Sequence, residues 1–224
     1  GSETTPVTPT DEGFSYNEAD KTLEIKLKGE KANNQKIYKL SDENCAELLS
    51  AIDTKSSDAI VIRVDSIGSE ANIYQLPVSF LYSLSSTNTK LRIEADDLQL
   101  ILDSDSLQEF AAINKTNLSL EVQRVGNQYS ISLRADQDLI KLQNNSIVVA
   151  IPKAPLGPEW VLAEGDRMLS YSFYSDGFVW GAIRESTTLS LINNLKSFED
   201  NSGWFEDAVK FVTARELFRG TADN

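Results

Sequence analysis

An α+β fold is predicted for this chain: repeated strand-helix-strand units, then a β-rich, sandwich-like half, then a terminal amphipathic helix. Three observations predict it. First, one spacing recurs. Leu76-Pro77 is followed by Phe80, Leu81 and Leu84 and then by the alternating Leu91, Ile93 and Ala95. Leu102-Asp103 is followed by Leu107, Phe110, Ala111 and Ile113 and then by Leu118, Leu120 and Val122. A looser copy runs from Leu40-Ser41 through Cys45, Leu48, Leu49 and Ile52 to Ile60, Ile62 and Val64. Second, from Tyr129 onward the apolar residues fall into short alternating runs separated by turn residues, the period of half-buried strands. Third, the last 27 residues carry helical spacing with a stop signal at Gly220. These divide the chain into a disordered leader (1–13), an α+β repeat domain (14–124), a β-rich domain (125–196) and a terminal helical segment (197–224).

The leader is rich in Thr, Pro, Glu and Asp and has nothing to bury. Order is expected from Phe14. Leu23, Ile25 and Leu27 alternate with charged residues, Asn33-Asn34 breaks the strand, and Ile37 to Leu40 resumes it as a hairpin. Ser41 suits the cap of the first helix, with Asp42 and Glu43 in the first turn opposing the partial positive charge there. Residues 59–64 and Ile73 to Leu76 read as strands. Pro77 fits the first turn of the second helix. Ser106 and Glu109 have the spacing of a capping box for the third, with Asp103 to Asp105 as further capping residues. Helices this short are marginal alone, so each needs one face buried on neighbouring strands.

In the second half, 129–134, 146–151, 168–175 and 178–183 read as strands, and Pro152, Pro155 and Pro158 mark an irregular loop. Asp176-Gly177 between alternating apolar residues predicts a tight hairpin, because both positions tolerate positive φ. Two arrangements fit this half: a separate domain, or further strands on the first sheet.

Composition narrows the function classes. There are 34 acidic and 21 basic residues, a formal net charge of -13, and no basic cluster. Phosphate neutralisation needs grouped Lys and Arg, so nucleic acid is not an expected partner. With no histidine and a single cysteine, internal disulfides, thiolate zinc clusters and imidazole general bases are excluded. Cys45, on the apolar stripe of the first helix, is expected in the core. No apolar run approaches the roughly 20 residues of a membrane-spanning helix. Gly1-Ser2 reads as a cloning remnant, so the lack of a signal peptide says nothing about compartment.

In the tail, Phe198-Glu199-Asp200 opens a segment in which Trp204, Ala208, Phe211, Val212 and Arg215 are expected on one helical face, capped by Asn201 or Ser202. The segment closes with Ala214-Arg215-Glu216-Leu217-Phe218-Arg219-Gly220. This tail resembles the first half of an S-layer homology domain, on Phe198, Asp200, Trp204, Phe211, Ala214, Leu217, Phe218 and Gly220. Such modules attach secreted proteins to cell-wall polysaccharide in bacteria. Their second helix and basic ligand stretch have no counterpart here. The region upstream resembles the α+β repeats of Gram-positive bacterial surface proteins, on the Leu-Pro-x-x-x-Leu and Leu-Asp-x-x-x-Leu helix starts and the Thr188-Leu189-Ser190-Leu191 strand. The resemblance implies an extracellular, wall-associated and non-catalytic region serving as a spacer or adhesion module. Its partners would be wall polysaccharide, other glycans or surface proteins. The tail helix is expected to dock on the β-rich half or pair with a second copy, because Trp204, Phe211 and Val212 in water would forfeit roughly 1.5–3 kcal/mol each.

Three groups invite chemistry. Asp96, Asp97, Asp103 and Asp105 offer oxygen ligands but lack the turn glycine and closing Glu of a calcium loop. The aromatic cluster Trp160, Tyr171, Tyr174, Phe178 and Trp180 either fills a sheet interior or, exposed on one face, stacks on sugar. Alternation sets Tyr171 and Phe173 on one face, Ser172 and Tyr174 on the other. Trp160, Tyr171, Tyr174 and Trp180 are therefore the candidate ligand-binding residues, in a carbohydrate-binding module or an accessory domain of a surface enzyme. No spacing singles out a catalytic carboxylate pair, and no cofactor is implied. The Asn114, Asn117 and Asn144 glycosylation patterns read as coincidence.

Overall fold

The computed structural model describes residues 13–152, 157–196 and 203–217. In chain order, β1 (Phe14–Asn17) and β2 (Thr22–Lys26) form a hairpin, as do β3 (Glu30–Ala32) and β4 (Gln35–Lys39). Then come α1 (Asp42–Lys55), β5 (Ala59–Arg63), β6 (Ala71–Pro77), α2 (Val78–Ser85), β7 (Lys90–Ala95), β8 (Leu98–Leu102) and α3 (Ser104–Ala111). A second series follows: β9 (Asn117–Val125), β10 (Gln128–Ala135), β11 (Asp138–Leu139), β12 (Ile147–Pro152) and β13 (Trp160–Glu164). The chain continues through β14 (Arg167–Met168), β15 (Phe173–Ser175), β16 (Phe178–Ile183), β17 (Thr187–Asn193) and α4 (Glu206–Ala214). The α+β class expected from the sequence is observed: two large sheets and four helices, mostly strand.

One sheet has eight strands in the order β1-β2-β5-β7-β8-β12-β16-β15. The other has nine, β14-β13-β17-β10-β9-β6-β4-β3 with β11 beside β10. Strands from before and after residue 125 enter both sheets, and that boundary falls at the β9-β10 hairpin. The inner faces share one core. The first sheet contributes Leu23, Ile60, Leu91, Leu100 and Val149, and the second Tyr38, Leu76, Leu120, Leu133 and Leu189. Period-2 alternation in β7, β8, β9, β10 and β16 makes their inner faces apolar, whereas β5 is buried at four successive residues. At Gly181 of β16 the backbone approaches Leu162 of the other sheet: an added Cβ would lie 2.7 Å from the end of the Leu162 side chain, which would have to shift.

The helices α1, α2 and α3 carry the chain from one sheet to the other: β4 to β5, β6 to β7 and β8 to β9. Because β4 and β6 are parallel, β5 and β7 are parallel, and β8 and β9 run antiparallel to β7 and β6, all three helices lie at the same end. Leu48, Phe80, Leu81, Leu84, Leu107 and Phe110 are all nearly solvent-free in the core. Cys45 is buried with them, and burial followed by the nearby Asp42 charge pushes its thiol up to about 12, so it is inert. Ser41 caps α1 by accepting from Asn44 N at 3.1 Å. Asp103 caps α3 by accepting from Ser106 N at 2.9 Å.

Four expectations need correction. The strand of 23–27 does not pair with 37–40. β2 belongs to the first sheet and β4 to the second, and the Asn33-Asn34 turn, with φ of 47° and 64°, joins β3 to β4 instead. Leu23 and Ile25 therefore oppose Tyr38 across the core rather than lying beside it. Ser106-Glu109 is not a capping box, because the Glu109 carboxylate faces away to accept from the backbone N–H groups of Gln143, Asn144 and Asn145. Residues 168–175 are not one strand. They leave the second sheet after β14 and join the first at β15, with Ser172 fully buried at the crossing. Finally, α4 begins at Glu206, so Trp204 lies before the helix, 95% exposed, with its ring edge-on to Phe205 at 5.9 Å.

Candidate functional site

The β15-β16 hairpin ends the first sheet, and the Asp176-Gly177 turn sets its register. Both residues have positive φ, 53° and 80°, the twist that matches a two-residue hairpin loop. That loop places Phe173 opposite Trp180 and Ser175 opposite Phe178. Val179 and Ile183 point inward to the core, and Gly181 points at Leu162, so Phe178, Trp180 and Ala182 point outward.

The outer face of the hairpin is consequently aromatic. The rings of Phe173 and Trp180 are 8° from parallel with centroids 6.0 Å apart, and Phe178 lies 5.6 Å from Trp180 at 50°. Trp180 Nε1 donates to Ser175 O at 3.1 Å, which fixes the indole plane without using any outward-facing group. Tyr171 lies beside this hairpin. Its side chain is exposed and its hydroxyl donates to Ala182 O at 2.9 Å, pinning the phenol beside the end of β16. Burial raises the Tyr171 pKa, and the nearby charges of Glu164, Arg167 and Arg184 act on it in opposing senses.

Of the four residues singled out from sequence, Tyr171 and Trp180 are brought together on this face. Tyr174 is not, because it alternates to the inner side and packs against the core. Trp160 lies in β13 of the other sheet, also packed against the core. Phe173 and Phe178 join Trp180 on this face, and the Asp-Gly hairpin register, which sets Phe173 opposite Trp180, is the signal that finds them.

Behind the hairpin the two sheets meet, and the tail segment closes the seam. Arg215 is 2% exposed. It donates to Pro158 O at 2.8 Å, Trp160 O at 3.3 Å and, through Nε, to Ser172 O; it also bonds its own helix at Phe211 O, 2.9 Å. Its guanidinium lies 3.8 Å from the centre of the Phe211 ring. Desolvation pulls Arg215 down to about 10, still charged at neutral pH. Of the other tail residues, Ala214 is buried, Phe211 half-buried and Leu217 exposed. Phe198, Asp200, Phe218 and Gly220 lie outside the described residues.

Beside this seam is an open cleft of about 550 Å³ lined by Glu164, Asp166, Arg167, Met168, Arg215 and Glu216. Glu164 accepts from Thr187 Oγ1 and Arg167 Nη2, both at 2.5 Å, and these bonds hold its carboxyl below the usual range. Asp96 and Asp97, singled out from the sequence, have structural work. Asp97 accepts from Ile67 N and pairs with Arg124 at 2.8 Å, and Asp96 accepts from Ser66 Oγ, so together they tether the 64–70 loop. Among the described residues no group of acids, Cys or His is arranged to hold a metal ion, and no helix is long and apolar enough to cross a membrane. Comparison with protein-family models, with curated proteins and with solved structures finds no match.

Proposed function

We propose that this protein is a non-catalytic recognition module that binds carbohydrate on the outer face of the β15-β16 hairpin. The observation that carries this is the nearly parallel, outward-facing pair Phe173 and Trp180, extended by Tyr171 and Phe178. Apolar faces of sugar rings stack on aromatic planes, and the parts of the stacked Phe173 and Trp180 rings and of Phe178 left open to solvent offer such planes. The polar groups needed beside such planes are present: Ser175 Oγ bonds Asp176 at the turn, and the Tyr171 hydroxyl lies at the other end. A catalytic reading has less support. The acid best placed in the cleft, Glu164, has its pKa lowered, whereas a glycosidase proton donor needs it raised.

The setting we infer is the wall of a bacterial cell. It rests on the likeness of the tail to half an S-layer homology module and on reading the three strand-helix-strand segments as copies of one surface-protein pattern. The module would then hold or sense wall or host glycans while a complete anchor elsewhere in the parent protein binds wall polysaccharide.

An array of bacterial wall, plant and host glycans tests the reading. Specific binding should appear, be lost in Trp180→Ala and Phe173→Ala, and persist in Trp160→Ala, because Trp160 belongs to the other sheet. Silence across the array, or binding indifferent to both hairpin variants, would overturn it.

A further inference from the structure

We infer that two copies of this chain pair by exchanging their tails, each α4 leaving its own seam to place Arg215 in the seam of the other. The seat is built from backbone. The carbonyls of Pro158, Trp160 and Ser172 converge on the guanidinium, and none of them belongs to the tail. What enters the seat is more than a cation. The Arg215 guanidinium lies 3.8 Å from the centre of the Phe211 ring and donates to Phe211 O at 2.9 Å, so the seam receives a helical turn with Phe four residues before Arg. A second copy presents the same turn, and its α4 fits the seat by identity.

The hold within one molecule is local. Of the nine residues of α4 only Thr213 and Ala214 are buried, and no side chain caps its start. Opening the tail therefore leaves the shared core of the two sheets in place. The connection from Asn194 to Phe205, at up to about 3.5 Å per residue, reaches about 40 Å, enough to carry α4 to the seam of a neighbouring molecule. A terminal element with a small interface, a specific seat and a long connection is what copies of a chain exchange at low cost.

Exchange leaves the clasp itself unchanged, so the gain from pairing lies elsewhere, and the exposed apolar residues show where. Leu195 is 54%, Trp204 95% and Phe205 36% exposed, all at the two ends of the connection. In a two-fold exchange the two connections run past each other and bring these residues from both copies to one place, where contact removes them from water. Other occupants fit the seat less well. The cleft beside Arg215 is walled by Glu164, Asp166 and Glu216, which disfavour anions, and a seat emptied of Arg215 holds only neutral carbonyls for a free cation. With a net charge of -13 on each copy, pairing is opposed at long range and should strengthen with salt.

Sedimentation equilibrium on the full chain, from about 1 µM to about 1 mM, tests this. A monomer-dimer equilibrium should appear and strengthen with salt. Arg215→Ala should abolish it, and Trp204→Ser should weaken it about tenfold, with circular dichroism confirming that both variants fold. In an equimolar mixture of nitrogen-labelled and carbon-labelled chains, incubated until tails have been released and reseated, nuclear Overhauser contacts should join Arg215 of one copy to Trp160 or Ser172 of the other. A monomer at every concentration, a dimer indifferent to both substitutions, or a dimer lacking those contacts between copies would overturn the inference. Each of those outcomes leaves the carbohydrate reading where it stands.

Discussion

The helices at the two extremes of the molecule are fastened in opposite ways. α1, α2 and α3 are held by apolar faces: Leu48, Phe80, Leu81, Leu84, Leu107 and Phe110 sit in the shared core, and two of the three starts are capped by a side-chain oxygen. α4 buries little of its own surface and has no capping side chain, and its last turn is held by Arg215 reaching three carbonyls of other segments. Apolar fastening is non-directional and distributed over many contacts. Polar fastening of this kind is directional and concentrated in few residues, here Arg215 with Asn194 Nδ2 donating to Ala214 O at 2.7 Å. The two kinds should therefore fail differently, globally for α1 to α3 and locally for α4.

The sharpest break of the comparison is in α3. Phe110 is solvent-free between α2, α3 and the sheets, so Phe110→Ala removes transfer free energy and leaves a cavity, a loss of about 3–5 kcal/mol. Chemical denaturation should show one cooperative transition at a lower midpoint, with both sheets affected together. A loss confined to a subset of the structure would mean that α3 is not integral to the core.

Next in size is Arg215→Leu. The replacement keeps the apolar stem but strips the donors from the carbonyls of Ser172, Pro158 and Trp160, a cost of about 2–3 kcal/mol. Because the seam can open to water, that cost should appear as local release. Amide exchange should quicken in 203–217 and β13 while α1 to α3 stay protected. Arg215→Lys should rescue only part of the effect, since an ammonium lacks the planar fork that reaches separate carbonyls. Uniform loss of protection across both sheets would count against a local clasp.

Much of this contrast could be seen before any coordinates. The inner faces of alternating strands such as β7 to β10 follow from their period, Ser41 and Asp103 are recognisable caps, and Asp176-Gly177 fixes a hairpin register that already aligns Trp180 with Phe173. Alternation, however, states which face of a strand is buried and not which edge it pairs. Alternation therefore pairs 23–27 with 37–40, although β2 and β4 belong to different sheets. For the same reason sequence groups Trp160 with Trp180: both are aromatic residues of the second half, yet topology sends β13 and β16 to different sheets. Glu109 and Arg215 were hidden for another reason. Each satisfies backbone groups brought close only by tertiary folding, the 143–145 loop for one and the meeting of two sheets for the other. No local pattern encodes such partners.

The smallest expected effect falls on Trp204, and it bears most directly on how the tail is held. The sequence suggests that this ring belongs to the buried face of the terminal helix; in the structure it stands in the turn before α4, 95% exposed and touching Phe205 edge-on. Its removal should therefore leave stability within about 0.5 kcal/mol, the range for surface substitutions outside special features. Trp204→Ser should also remove the component of tryptophan fluorescence most accessible to iodide, because Trp160 and Trp180 are both partly covered. Phe211→Ser is the matched control: the ring is half-buried under the Arg215 guanidinium, so its loss should weaken the same clasp and accelerate exchange in 203–217. If Trp204→Ser instead destabilised the protein as much as Phe211→Ser, the ring would be covered in solution. The tail would then be fastened by apolar contact after all, in the manner of α1 to α3.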